Sequence, residues 1–178
     1  ADKILEEAVL KELLESHRRA GRRIVFSNRG FDLLHVGHVR VLEEAAELGG
    51  VLVVAVNDDP SVRVAKGPGR PVVPARERAE VVAALQAVDY VVVFPDATVD
   101  RLLRELRPHV HVKGRDYTPD TIPERATHRE VGIEVAILSL DLAGVSDDVA
   151  RRIQQRVAAD AGIPANRVRV CVTHTHSM

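Results

Sequence analysis

The chain has 178 residues, of which 46% are hydrophobic and 29% charged, and its formal net charge is −1. That balance excludes a disordered or membrane-embedded chain, and near-neutrality excludes a general field for nucleic acid or an anionic membrane surface. A single cysteine, Cys171, excludes an intramolecular disulfide and a cysteine-based zinc cluster, which suits a reducing cytoplasm.

Residues 2–19 place Ile4, Leu5, Ala8, Val9, Leu13 and Leu14 at helical spacing, which predicts a first helix that Gly21 ends. Its acidic, amphipathic character does not read as a signal peptide. Residues 23–28 predict a short strand, residues 30–38 a turn, and residues 39–48 a helix closed by Gly49-Gly50. Val51 to Val56 is a buried strand ending at Asn57-Asp58-Asp59-Pro60. Residues 61–74 carry prolines, glycines and cations and read as a loop over a site. A helix over 76–87, a strand over 88–94, a helix over 98–106 and a strand over 110–112 follow. Aromatic residues are only 3% of the chain, so Val-rich strands buried on both faces must form the core. The alternation predicts an α/β fold, a doubly wound parallel sheet whose ligands bind beyond the carboxyl ends of the strands. The polar clusters Asn28 to His38, Asn57 to Asp59 and Lys113 to Tyr117 all fall there.

The most informative segment is Gly30-Phe31-Asp32-Leu33-Leu34-His35-Val36-Gly37-His38. Two histidines three residues apart at a helix start face one way, beside backbone N–H groups and the positive helix end. Imidazoles there can donate to phosphate oxygens, and Gly37 would let a triphosphate lie against the backbone. The competing reading is a pair of incidental surface or zinc-binding histidines; zinc usually takes three or four ligands, and this stretch shows no third.

The stretches FSNRGFDLLHVGHVRVLEEA, VVAVNDDPSVRVAKGPGRPVVPARERAEVVAAL, VDYVVVF and HVKGRDYTPD, in that order, resemble the cytidylyltransferase-like nucleotidyltransferases with their His-x-Gly-His signature. Within them the chain looks most like the adenylyltransferase domain that makes ADP-heptose from heptose 1-phosphate and ATP. The resemblance implies a Rossmann-like nucleotidyltransferase fold carrying the HxGH motif over residues 1–137. It implies ATP as substrate with Mg²⁺, and transfer of AMP to a sugar 1-phosphate. Glycerol-phosphate and ethanolamine-phosphate cytidylyltransferases share most of these signals, so transfer to an alcohol phosphate stays open, as does a module that binds nucleotide without turnover. The partners implied are a phosphorylated sugar and a nucleoside triphosphate, with a homodimer allowed.

No side chain attacks in such enzymes; positioning and charge neutralisation do the work. The resemblance makes His35, His38 and Lys113 catalytic, the histidines at the β- and γ-phosphates and Lys113 at the α-phosphate and the incoming phosphate. Phe31, Asp32, Gly37, Arg78, Gly114 and Asp116 are expected at the nucleotide, and Asn57, Asp58, Lys66 and Arg70 at the sugar substrate. Asp32 and Asp116 read equally as water-mediated Mg²⁺ or hydroxyl partners and as turn formers. Lys66 reads equally as a solvated loop lysine.

The chain departs from the family in three places. Arg29 stands where the family has glycine, a strained choice if that position needs a positive φ. Arg115 stands in Lys113-Gly114-Arg115-Asp116 where a small residue is usual. Gly144-Val145-Ser146-Asp147-Asp148 replaces a Ser/Thr-rich turn, with Ser146 able to cap a helix over 147–161 and two aspartates that would repel phosphate. From about residue 138 the chain resembles an early segment of neutral ceramidases, where a Thr-His-Thr-His-Ser stretch contributes to a zinc site. His174 and His176 alternate and would share one face of a strand. Residues 138–178 are therefore expected to form an atypical helix and an edge strand, Val168 to Val172, packed on the same domain.

Overall fold

A computed structural model describes residues 3–113, 123–133, 136–140, 147–162 and 168–172. In chain order the elements are α1 (Glu7–Arg19), β1 (Ile24–Arg29), α2 (Val36–Ala46), β2 (Val51–Asn57), α3 (Asp59–Lys66), α4 (Ala75–Ala83), β3 (Tyr90–Phe94), α5 (Asp100–Leu106) and β4 (Val110–Val112). Then come α6 (Arg125–Val131), β5 (Ala136–Leu140), α7 (Asp147–Ala161) and β6 (Val168–Val172).

β1 to β4 form a parallel sheet in the order β3-β2-β1-β4. Alternate residues of each strand point to opposite faces, and both faces are apolar, so the sheet needs a cover on each side. Val25, Leu52, Val54, Val56, Val91, Val110 and Val112 pack with Leu42 and Ala45 of α2 and Ala79 and Val82 of α4. Ile24, Phe26, Val51, Val53, Val92 and Phe94 pack with Leu10 and Leu14 of α1 and Leu102, Leu103 and Leu106 of α5. The sheet is thus doubly wound. Its order reverses between β1 and β4, since β2 and β3 build out on one side of β1 and β4 joins on the other. A crevice opens beyond the strand ends at such a reversal.

β5 pairs in parallel with β6 and lies beside β4. β5 crosses residue 137, where the sequence suggested a division between the main domain and its tail.

Several expectations are corrected. The first helix begins at Glu7, because residues 3–5 run along the open edge of β3 instead: Leu5 N–H donates to Val91 O (2.9 Å) and Val91 N–H to Lys3 O (2.7 Å). An edge strand leaves donors and acceptors unpaired, and this segment satisfies them. The stretch read as a loop from Ser61 opens with α3. Asp58 accepts from Ser61 N–H (2.8 Å) and Pro60 sits in the first turn, both helix-start signals outweighed by the later prolines and glycines. Gly49 has no left-handed φ; a Cβ there would lie 2.7 Å from Arg23 O and 2.6 Å from Val25 Cγ2, so glycine is required for close approach and not as a helix cap. Arg29 lies in β1, and the left-handed residue of this turn is Phe31, with φ 47°. α6 was not foreseen.

Candidate active site

The crevice is a cavity of about 840 Å³. Asn28 and Arg29 of β1, Asn57 of β2, Phe94 of β3 and Lys113 after β4 reach it from the strand ends. Phe31, Asp32 and His35 reach it from the β1–α2 turn, His38 from the first turn of α2, and Lys66 and Arg70 from α3 and the loop behind it. Parallel strands turn all their carboxyl ends to one edge, which is why residues from Asn28 to Lys113 meet there.

His35 caps α2 with an extended backbone, φ −138° and ψ 168°. Its Nδ1 accepts from Gly37 N–H (3.1 Å), while His38 Nδ1 faces His35 N–H at a longer 3.4 Å. A neutral imidazole has one donor and one acceptor nitrogen. With each Nδ1 serving as acceptor, the ring proton of each neutral histidine resides on Nε2. The two rings lie 4.0 Å apart, and both residues line the cavity. Helix α2 starts at Val36, so His38 belongs to its first turn, where the helix end is positive.

Gly37 does not line the cavity. A Cβ on it would stand 2.9 Å from His35 Cε1 and 3.0 Å from Nδ1, so its hydrogen is what lets the His35 ring fold back as the cap. Gly37→Ala is expected to displace that ring. The better helix propensity of alanine, up to about 1 kcal/mol, offsets the lost cap. Melting temperature then stays near wild type while turnover falls on the order of 100-fold, as for an ångström-scale misplacement. Parallel thermal melts and rate measurements check this, and an unchanged rate would remove Gly37 from the account.

Asp32 is almost fully buried and ties the turn to the loop over the cavity. It accepts from Arg70 Nη1 (2.7 Å), Val72 N–H (2.6 Å) and Val73 N–H (3.3 Å). Burial alone would raise its pKa, but the Arg70 hydrogen bond, the two amides and the Arg70 charge together hold it below the ordinary carboxylate value. Phe31, left-handed and buried, sets its ring 5.4 Å from that of His38. A bulky residue at positive φ is uncommon and collects at functional turns.

Two further expected ligands stand elsewhere. Arg78 is 2% exposed and does not line the cavity. Its guanidinium donates to Val73 O (2.8 Å), Asn57 O (2.8 Å), Gly30 O and Asp59 Oδ1 (2.6 Å), so it braces the cavity wall from behind. Asp58 likewise caps α3. The short side chain that makes it a good cap keeps it on its own backbone. Gly114 and Asp116, with Arg115, Ser146, His174 and His176, lie outside the described residues.

Lys113 is 5% exposed and donates to Glu124 Oε1 at 2.8 Å. Burial lowers its pKa; the Glu124 charge and hydrogen bond act in the opposite sense, and Arg29 adds to the lowering. Two residues back on the same face of the strand, His111 is buried and neutral, its pKa pushed well down by burial, then by Lys113 and His128. His111 Nε2 meets Asn28 Oδ1 (2.9 Å) and His111 Nδ1 meets His128 Nε2 (2.7 Å). Asn28 Oδ1 can only accept, so His111 carries its proton on Nε2 and accepts from His128 at Nδ1. The Asn28 amide is thereby oriented with its own donors left for a ligand. Thr98 and Glu124 line the cavity without any expectation from the sequence, and Asn28 and Arg29, though in the polar cluster expected at the strand ends, were not singled out as ligands.

Residues 30–161 match the family model described as cytidylyltransferase-like. The chain is 44% identical over 147 residues to the bifunctional protein HldE of Syntrophotalea carbinolica, covering 83% of this chain and 30% of that protein. To HldE of Photobacterium profundum it is 46% identical over 138 residues, covering 78% and 29%. The chain therefore spans about a third or less of the length of these curated relatives. Among solved structures, the lipopolysaccharide core biosynthesis protein from Thermoplasma volcanium GSS1 superposes with a TM-score of 0.52 at 20% identity, over 88% of this chain and 100% of the other, a likeness of fold. Among the described residues no helix is long and apolar enough to cross a membrane. The family match takes in both the turn bearing His35 and His38 and the strand that delivers Lys113, and it continues through α7, so the chain belongs to the cytidylyltransferase-like family of nucleotidyltransferases.

Proposed function

We propose that the chain transfers AMP from ATP to a sugar 1-phosphate of the heptose 1-phosphate kind, giving an ADP-sugar and pyrophosphate. The observation that carries this reading is the meeting, around one cavity, of two imidazoles at a helix start with the buried ammonium of Lys113. The sugar phosphate oxygen attacks the α-phosphorus, a new P–O bond forms, and the bond to the β-phosphate breaks. His35 and His38 donate to the β- and γ-phosphates, where charge grows as pyrophosphate leaves. Lys113 neutralises the α-phosphate and the incoming phosphate, and Asn28 adds a donor on the same wall. Lys66, Asn57 and Arg70 take the sugar phosphate side, with Asp32 holding Arg70 in place. Phe31, Gly114 and Asp116 belong to the nucleotide side.

The described residues include no group of three His, Cys, Asp or Glu side chains placed to hold a metal ion, and Asp32 is already engaged by Arg70 and two amides. A resident metal does not fit these residues. Mg²⁺ enters here as part of the substrate, bound to the triphosphate with most of its water. The reading places the enzyme in the cytoplasm, where ATP is made available, acting on small molecules and compatible with a homodimer.

The deciding experiment offers the chain MgATP or MgCTP with heptose 1-phosphate or glycerol 3-phosphate and measures pyrophosphate release. Release with ATP and heptose 1-phosphate is expected. Preferred release with CTP and glycerol 3-phosphate overturns the reading in favour of a cytidylyltransferase for alcohol phosphates. Tight triphosphate binding with no turnover on either acceptor identifies a catalytically impaired binding module.

A further inference from the structure

We propose that Glu124 is a positioning residue for Lys113, holding its ammonium charged and aimed at the cavity until a phosphate takes over that contact. The proposal rests on the role given to Lys113 above.

Glu124 occupies the cap position of α6, yet its side chain makes no hydrogen bond to that helix. It turns to Lys113 instead, at 2.8 Å, and both side chains are buried at the cavity wall. The second oxygen, Oε2, is buried and finds no hydrogen-bond partner among the described residues. A carboxylate built only for stability would be poorly placed here. Desolvation of a buried ion pair consumes most of its attraction, and an unpartnered buried oxygen adds a further cost. The arrangement makes sense if the negative charge is there for the lysine.

Lys113 needs such help because its surroundings oppose its charge. Burial disfavours the ammonium, and Arg29 at the end of β1 repels it. His111 on β4 and His128 on α6 are both held towards the neutral form, chiefly by burial, and neither offers a charge that could pair with the ammonium. Glu124 is the leading group favouring the ammonium; Asp100 at the start of α5 acts in the same sense more weakly. An arriving phosphate brings its own negative charge to Lys113 and can replace the Glu124 contact without leaving the ammonium unpaired.

Glu124 stabilises the protonated lysine, so Glu124→Gln, which keeps shape and removes charge, makes Lys113 lose its proton at lower pH. With lysine labelled at Cε with ¹³C, and the Lys113 resonance assigned by its loss in Lys113→Arg, the Lys113 titration is expected to move to lower pH in Glu124→Gln. In the rate profile the alkaline limb of kcat/KM moves the same way, with a loss on the order of tenfold at a fixed pH on that limb and little change on the acid side. Glu124→Asp, which keeps the charge but withdraws it by one methylene, falls between the two. Should Glu124→Gln not fold by circular dichroism, the comparison of Glu124→Asp with wild type carries the test. An unmoved Lys113 titration in a folded variant overturns the proposal, as does a rate lowered equally at every pH. The titration uses no substrate, so absence of pyrophosphate release in wild type would count against the proposed activity and leave this result standing.

Discussion

His35→Ala is expected to lower turnover roughly 100- to 1000-fold, or about 2.7–4 kcal/mol, the usual cost of removing one preorganised donor from a developing phosphate charge. The same substitution removes the cap of α2, because His35 Nδ1 accepts from Gly37 N–H. Loss of a cap costs only about 1 kcal/mol. Activity is therefore expected to fall far more than stability, and the two effects separate with His35→Asn. Asparagine is a good cap but is too short to carry the Nε2 donor to the same point, so it should restore the melting temperature without restoring the rate. His38→Ala tests the partner donor, whose loss leaves the His35 cap in place. Near-normal turnover in a folded His35→Ala/His38→Ala protein would remove the histidines from the mechanism. Steady-state pyrophosphate release and urea denaturation on the same preparations supply both numbers.

Legibility in the sequence followed the range of the interactions. His35 and His38 are three residues apart at a helix start, and spacing alone told which way they point. The alternation of Val-rich strands with amphipathic helices likewise announced a doubly wound sheet, because period 2 and period 3.6 are local properties. The tautomer of each histidine was not legible, since it depends on which backbone N–H each Nδ1 meets. α3 was obscured by three prolines and two glycines within residues 61–74, although Asp58 and Pro60 mark its start. Glu124 had no signal at all. It meets Lys113 across eleven residues of chain, through a contact that no periodicity encodes.

Arg78 is the sharpest case of a residue whose chemistry was read correctly as anion- and oxygen-seeking but whose location was not. An arginine after a basic loop suggests a phosphate ligand, since its fork grips two oxygens. In the folded chain the fork is closed on the protein: it joins Gly30 O at the end of β1, Asn57 O at the end of β2, Val73 O in the loop and Asp59 at the start of α3. Asp59 also accepts from Ala75 N–H (2.8 Å), which starts α4. One guanidinium thus holds four segments of the cavity wall in register. Arg78→Met, of similar length and apolar, is expected to destabilise the fold by about 3–5 kcal/mol, because it strands buried carbonyls and leaves Asp59 without its buried counter-charge. Arg78→Lys keeps the charge but cannot reach in four directions, and should recover only part of that loss. Urea denaturation of the three proteins measures it. A loss below about 1 kcal/mol in Arg78→Met, the range of an exposed ion pair, would show that the brace is dispensable and return Arg78 to the list of groups free to meet a phosphate.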